Sequence, residues 1–143
     1  MTMKNSIKFF GVIFALIVLS SSANAFGPFE KKSEEKVDKV TQKAREAVSN
    51  ATADDWLTYA KSAEKCIKKG VNLKEAGEWI DKSLTIKESP YNLTIKGDYF
   101  LASNLPDKAL EFYVKGLKVG KSEDINFNGT YIQERIAEIY QLN

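Results

Sequence analysis

The side chains that most often carry catalysis at neutral pH are scarce in this chain. The sequence holds no histidine, which removes the commonest general base and the commonest metal ligand. Its single cysteine, Cys66, therefore lacks the imidazole partner that usually activates a nucleophilic thiol. Cys66 lies at helical spacing from Tyr59 and Ala63, which predicts a small side chain packed in the core. A redox or intermolecular role is the alternative.

Carboxylates are the remaining candidates for chemistry, and their positions favour structural roles. Asp54 and Asp55 are adjacent, and adjacent side chains on a helix diverge by about 100°. We therefore expect them to lie in the first turn of a helix capped by Thr52. No phosphate-binding glycine loop, paired-cysteine zinc motif or calcium loop occurs in the sequence. The sequence predicts no enzyme, no catalytic residue, no metal site and no cofactor.

The first 25 residues have the order of a secretory signal peptide. Lys4 and Lys8 precede an apolar run from Phe9 to Leu19, and small residues follow up to Ala25. The run is shorter than the roughly 20 residues that span a bilayer. We expect cleavage after Ala25 and a soluble chain in a bacterial periplasm or in the medium, with membrane contact only before cleavage. An uncleaved amino-terminal anchor is the alternative.

The charge balance argues against nucleic acid as a partner. The 21 Lys and Arg residues outnumber the 19 Asp and Glu residues by two, and Lys4 and Lys8 account for that excess. A neutral surface with interspersed charges lacks the clustered cations that neutralise phosphates. We therefore expect no nucleic acid partner.

Helical periodicity recurs along the rest of the chain and predicts an all-α fold. Residues 26–51 form a charged helix or linker, with a narrow apolar seam of small residues at steps of three and four. The seam consists of Val37, Val40, Ala44, Ala47 and Ala51. Residues 52–143 form a domain of five further helices, which start and stop at recognisable residues.

Proline, glycine and short polar residues mark the ends of these five helices. The second helix follows Thr52 and stops at Gly70, and the third opens with a cap formed by Asn72 and Glu75 and runs to about Lys87. The fourth runs from Pro90, after a Ser89 cap, to about Ser103. The fifth runs from Pro106 to near Gly120, and the sixth from about Gly129 to Leu142.

The third and fifth helices repeat one another without a gap, residues 73–86 aligning with residues 106–119. A fixed period in the range of about 20–50 residues is typical of stacked helical hairpins. Small and aromatic residues fall at the spacing found in the tetratricopeptide repeat, which the chain resembles over about residues 56–122: Gly97, Phe100, Ala109, Tyr113 and Gly116. The chain departs from that pattern at Leu93, where the family has an aromatic residue, and near Lys121, where it has a proline.

This resemblance implies two hairpin units, and the sixth helix is expected to cap their carboxyl end because so few repeats rarely bury their own faces. It also implies a concave face made by the first helix of each pair, and a protein or peptide bound there. Carried over position by position, that face comprises Leu57, Ala60, Glu64 and Lys68 from the first unit and Tyr91, Thr94, Asp98 and Leu101 from the second. The alternative function is a self-associating scaffold, a homo-oligomer held by the amino-terminal seam.

Overall fold

The fold is all-α, as the periodicity predicts. A computed structural model describes the chain over residues 28–141, with side chains from residue 39 onward. It contains α1 (Pro28–Ser49), α2 (Trp56–Lys69), α3 (Leu73–Ile86), α4 (Pro90–Ala102), α5 (Pro106–Glu123) and α6 (Thr130–Gln141). None of these helices is long and apolar enough to cross a membrane. The predicted signal peptide, residues 1–25, lies outside the described residues.

The helices pack mainly with their neighbours in sequence. The closest pairs are the hairpins α2–α3 and α4–α5, with α1 against α2, α3 against α4, and α6 against α5. One core cluster lies between α1, α2, α3 and α4, around Ala63, Ile80 and Ile95. A second lies between α5 and α6, around Tyr113 and Ile132, with side chains of α4 packed against it. The contact between α2 and α4 aligns the first helices of the two hairpins.

Small residues set the distance between α4 and α5. A Cβ at Gly97 would overlap the ring of Tyr113, which is fully buried. At Gly116 a Cβ would meet Ile132 at 3.4 Å, an ordinary close contact. Ala109 is also fully buried at this crossing. Helices approach closely where one side is small, so the sequence correctly identified the positions that let α4 and α5 touch.

Several predicted helix ends match the structure. Gly70 ends α2 in the left-handed conformation, with φ of 64°. Ser89 and Asn92 form a reciprocal cap at the start of α4: the Asn92 amide donates to Ser89 Oγ at 3.4 Å, and the Ser89 amide donates to Asn92 Oδ1 at 2.9 Å. Pro90 and Pro106 each stand in a first helical turn. The predicted end of α5 near Gly120 was too early, because the helix continues to Glu123.

Two predicted caps were wrong in detail. Thr52 does not cap α2; its hydroxyl donates to Asp54 Oδ1 at 2.7 Å within a turn, and Asp55 caps the helix by accepting from the Thr58 amide at 3.0 Å. A carboxylate placed three residues before an unsatisfied amide is the stronger acceptor. Asn72 precedes α3 in the left-handed conformation and makes no side-chain cap. Its amide group donates to Glu75 Oε2 at 2.6 Å instead.

The seam on α1 faces the protein's own core. Ala44 is 1% exposed, and Val40 and Val48 pack against the first core cluster. Arg45 also ties α1 to α3, with its Nε 2.7 Å from Glu75 Oε2. The side chain of Val37, the first seam residue, is outside the described part. Ala44 therefore packs inside the domain, whereas Val40 is only partly buried. Self-association through the seam stays a prediction.

Cys66 belongs to the same cluster and is fully buried. Burial raises the pKa of its thiol, as does the nearby charge of Glu75, against a smaller opposing effect of Arg45. The prediction that Cys66 packs in the core is confirmed. A buried thiol of raised pKa is unreactive.

Candidate interaction groove

Three helices that are not consecutive in sequence, α2, α4 and α6, enclose an open cavity of about 440 Å³. The volume falls within the range of about 300–1,000 Å³ typical of binding clefts. We call this cavity the groove. It is lined by Glu64, Lys68, Tyr91, Thr94, Ile95, Asp98, Tyr131, Glu134, Arg135 and Glu138.

The groove brings together most of the residues that the family resemblance assigned to a concave face. Glu64, Lys68, Tyr91, Thr94 and Asp98 all line it. Leu101 lies beside it, in a shallower hollow of about 260 Å³ that Lys68, Asp98 and Arg135 also border.

Two predicted residues do not belong to this surface. Ala60 is fully buried in the first core cluster, so a partner has no access to it. Leu57 is only partly buried but lies away from the lining. Both positions fall in the first two turns of α2, whereas Glu64 and Lys68, which line the groove, lie nearer its carboxyl end.

On the α2 side, Glu64 is held between two donors. Its Oε1 lies 2.7 Å from Lys68 Nζ, and its Oε2 accepts a hydrogen bond of 2.7 Å from the Tyr91 hydroxyl. Burial raises the pKa of this carboxyl, but the bonds from Lys68 and Tyr91 outweigh burial and leave the pKa lowered. Burial and the bond to Glu64 raise the pKa of Tyr91. Glu64 is therefore ionised and Tyr91 neutral at physiological pH.

On the α4 side, Asp98 links the groove to the core. Its Oδ1 accepts a 2.7 Å hydrogen bond from the hydroxyl of buried Tyr113 and lies 3.4 Å from Arg135 Nε. Burial raises the pKa of Asp98, and the Tyr113 bond and the Arg135 charge offset only part of that rise. Arg135 Nη1 also donates to Glu138 Oε2 at 3.0 Å. Asp98, Tyr113, Arg135 and Glu138 thus form one network from α4 through α5 to α6.

The contribution of α6 was missed when that helix was treated only as a cap. This helix supplies a third side of the groove, through Tyr131, Glu134, Arg135 and Glu138. A sequence signal for this exists, since positions 131, 134, 135 and 138 follow 91, 94, 95 and 98 at one constant offset. The six-residue loop between α5 and α6, residues 124–129, makes this offset longer than the repeat period of the third and fifth helices.

The groove carries an acidic excess. Four carboxylates line it, Glu64, Asp98, Glu134 and Glu138, against the two cations Lys68 and Arg135. Glu134 is exposed and makes none of the ion pairs found among the described side chains. Tyr131, which is 41% exposed, presents its ring at the rim. The surface can therefore take a polar or cationic segment that also offers apolar contact.

A second cavity, of about 300 Å³, lies next to the groove between α1 and α2. Val40 lies in its lining, together with Lys43, Lys65, Lys68 and Lys69. We call this surface the lysine rim. Lys68 borders both cavities, so a basic surface and an acidic surface share one edge. Lys65, Lys68 and Lys69 lie within one short stretch of α2, and the packing of α1 on α2 adds Lys43 to them.

Over residues 39–141, no group of three or more Cys, Asp or Glu side chains is arranged to hold a metal ion.

Comparisons of the chain with protein-family models, curated proteins and solved structures gave no match.

Proposed function

We propose that this protein is an exported helical-repeat module, of tetratricopeptide-like design, whose groove binds a segment of another protein. The observation that carries the proposal is the convergence of α2, α4 and α6 on one cavity. The first helices of successive hairpins line the binding surface in stacked repeats, and α6 occupies the place of a third first helix. Helical grooves of this kind take an extended or helical peptide.

The chemistry of the groove supports recognition rather than catalysis. Its carboxylates and its two cations largely satisfy one another, as in the bonds from Lys68 to Glu64 and from Arg135 to Glu138. Asp98 is committed to the buried hydroxyl of Tyr113. A general acid or base needs a proton-transfer group free to reach its substrate. Glu134 makes none of the ion pairs found among the described side chains. Tyr131 packs its ring against Phe127 but is 41% exposed, so both side chains are suited to contact with a protein surface.

The test is a crosslinking pull-down from envelope extract with residues 26–143 as bait. The groove variant combines Tyr131→Ala with Glu134→Lys, because both side chains line the groove and are exposed. Asp98 is avoided, since a lysine or alanine there would remove the acceptor of Tyr113 in the core. The matched control combines Tyr140→Ala with Glu111→Lys, which makes the same chemical changes at exposed positions outside the groove.

The proposal predicts that at least one protein is captured by the wild type and the control and lost by the groove variant. Capture of the same proteins by all three baits, or capture by none, would refute groove recognition. Circular dichroism of the three proteins checks that each is folded.

A further inference from the structure

Two oppositely charged surfaces stand side by side on this protein. The groove has an acidic excess, and the lysine rim has four cations and no acid in its lining. Three of those cations, Lys43, Lys65 and Lys69, make none of the ion pairs found among the described side chains. Glu134 is the unpaired charge on the other side. Each surface thus presents charges that form no ion pair with another described side chain.

The interaction of cations with the dipole of α2 explains only part of the lysine rim. Lys68 and Lys69 lie in its last turn, where cations interact favourably with the helix dipole. Lys65 is outside that turn and stands four residues before Lys69, a like-charge spacing that disfavours the helix. Lys43 comes from α1. Lys43 and Lys65 thus converge around an apolar lining residue, Val40, and form a basic surface that an anionic surface would complement.

We propose, on the basis that the groove binds a protein, that this protein is a second copy of the same chain. In a two-fold symmetric dimer the same surface patch of both subunits forms the interface. Every contact therefore occurs twice, with the roles of the two subunits exchanged. Two adjacent patches of opposite charge satisfy that condition when the axis passes near their shared edge. Lys68 marks that edge here, and each lysine rim then faces the partner's groove.

The same arrangement supplies apolar contact as well as charge. The exposed ring of Tyr131 at the groove rim and the cavity lined by Val40 are brought to opposite sides of the interface. Aromatic anchors and a desolvated apolar centre contribute most of the affinity in protein interfaces, whereas charge pairs mainly set orientation and association rate. Of the seam of α1, Val40 takes part through this cavity, whereas Ala44 is buried inside the domain.

The test measures the mass of the protein by sedimentation velocity at two salt concentrations. The wild type should be a dimer at about 0.1 M ionic strength and should dissociate toward monomer near 1 M, as the Debye length falls from about 10 Å to about 3 Å. The rim variant carries Lys43→Glu, Lys65→Glu and Lys69→Glu. A second groove variant, used only in this test, carries Glu134→Lys and Glu138→Lys. The control carries Lys74→Glu, Lys82→Glu and Lys118→Glu, at exposed positions that line neither cavity.

Each reversed variant alone should be monomeric, with its dimer dissociation constant raised by at least about a hundredfold, because like charges then face one another. An equimolar mixture of the rim and groove variants should form a heterodimer, since both contacts across the axis regain opposite charges. The control should remain a dimer. Recovery in the mixture also shows that both variants are folded.

A wild-type monomer at low salt, a dimer that persists in both reversed variants, or a mixture that stays monomeric would each overturn self-pairing. If in addition the pull-down described above yields a different protein that the Tyr131 and Glu134 variant loses, the groove function stands and its partner is that protein. If the pull-down also shows no dependence on the groove, both proposals fail.

Discussion

At Gly97 the backbone of α4 lies against the ring of Tyr113, and no space remains for a Cβ. The Tyr113 ring cannot withdraw easily, because it is fully buried and its hydroxyl is bonded to Asp98. A single absent methyl group therefore sets the spacing of α4 and α5 and, through Asp98, the floor of the groove.

Replacing Gly97 with Ala should lower the free energy of unfolding by about 1–3 kcal/mol, because overpacking outweighs the gain in helix propensity. Gly116→Ala is the matched control, since its added Cβ meets Ile132 at 3.4 Å, and it should change stability by less than about 1 kcal/mol. Urea unfolding of both variants measures the difference. Equal effects would show that the α4–α5 approach is looser than described.

The carboxyl group of Asp98 makes the stability of the protein depend on pH. Burial raises the pKa of this carboxyl above its ordinary value of 3.8. Its contribution to stability is therefore greatest below that value and is lost as the pH rises through the raised pKa. Asp98→Asn keeps an acceptor for Tyr113 and removes the titration.

The stability of Asp98→Asn relative to wild type should accordingly rise as the pH increases from about 3 to about 6. Urea unfolding of the two proteins at a series of pH values measures this trend. A difference that is independent of pH, or that falls as the pH rises, would contradict the burial of this carboxyl.

The amino end of α2 offers two candidate caps, Thr52 and Asp55, and the structure distinguishes them. Thr52 matches the sequence pattern of a cap, but Asp55 makes the bond to the Thr58 amide. That bond also lowers the pKa of Asp55, so its stabilising effect is present above pH 3.8 and is lost as the pH falls through the lowered pKa.

Asp55→Ala should destabilise the protein more than Thr52→Ala at neutral pH, because only the first change leaves an amide of α2 without its acceptor. Hydrogen exchange should also quicken at Thr58 in Asp55→Ala and stay unchanged in Thr52→Ala. A larger effect of Thr52→Ala would restore the cap predicted from the sequence.

The last helix, α6, belongs to the core as well as to the groove. Ile132 is fully buried and Ile139 is 4% exposed in the second core cluster. Ile132→Ala should cost about 2–5 kcal/mol of stability. Ile125→Ala, at a side chain that is 79% exposed, should change it by no more than about 0.5 kcal/mol. Thermal unfolding compares the two, and similar values would show that α6 is only loosely docked.

Across the whole molecule, local signals predicted more than long-range ones. Pro90, Pro106 and Gly70 act through their own backbone geometry, so the ends that they mark could be predicted from neighbouring residues. The groove needed the relative placement of α2, α4 and α6, and the family resemblance supplied only the first two. Val40 and Lys65 come together only through the packing of α1 on α2. The amphipathic pattern of α1 indicates that it packs on another element, but it does not give the orientation of the two helices.

The charge distribution shows the same limit at the largest scale. Composition correctly gives a balanced chain, yet folding separates the charges into an acidic groove and a basic rim that share Lys68. Net charge reports on average behaviour and not on how charges are arranged over a surface. The two charged surfaces of this protein are therefore a property of its tertiary structure.

Site-specific photocrosslinking in cells that express residues 1–143 tests most directly whether the groove binds a protein. A benzophenone amino acid replaces Tyr131, at the exposed rim of the groove, or Tyr140, which is exposed on the same helix but outside the groove. We expect a discrete crosslinked protein from position 131 and none from position 140. No crosslink at 131, or the same crosslinks from both positions, would contradict a binding groove formed by α2, α4 and α6.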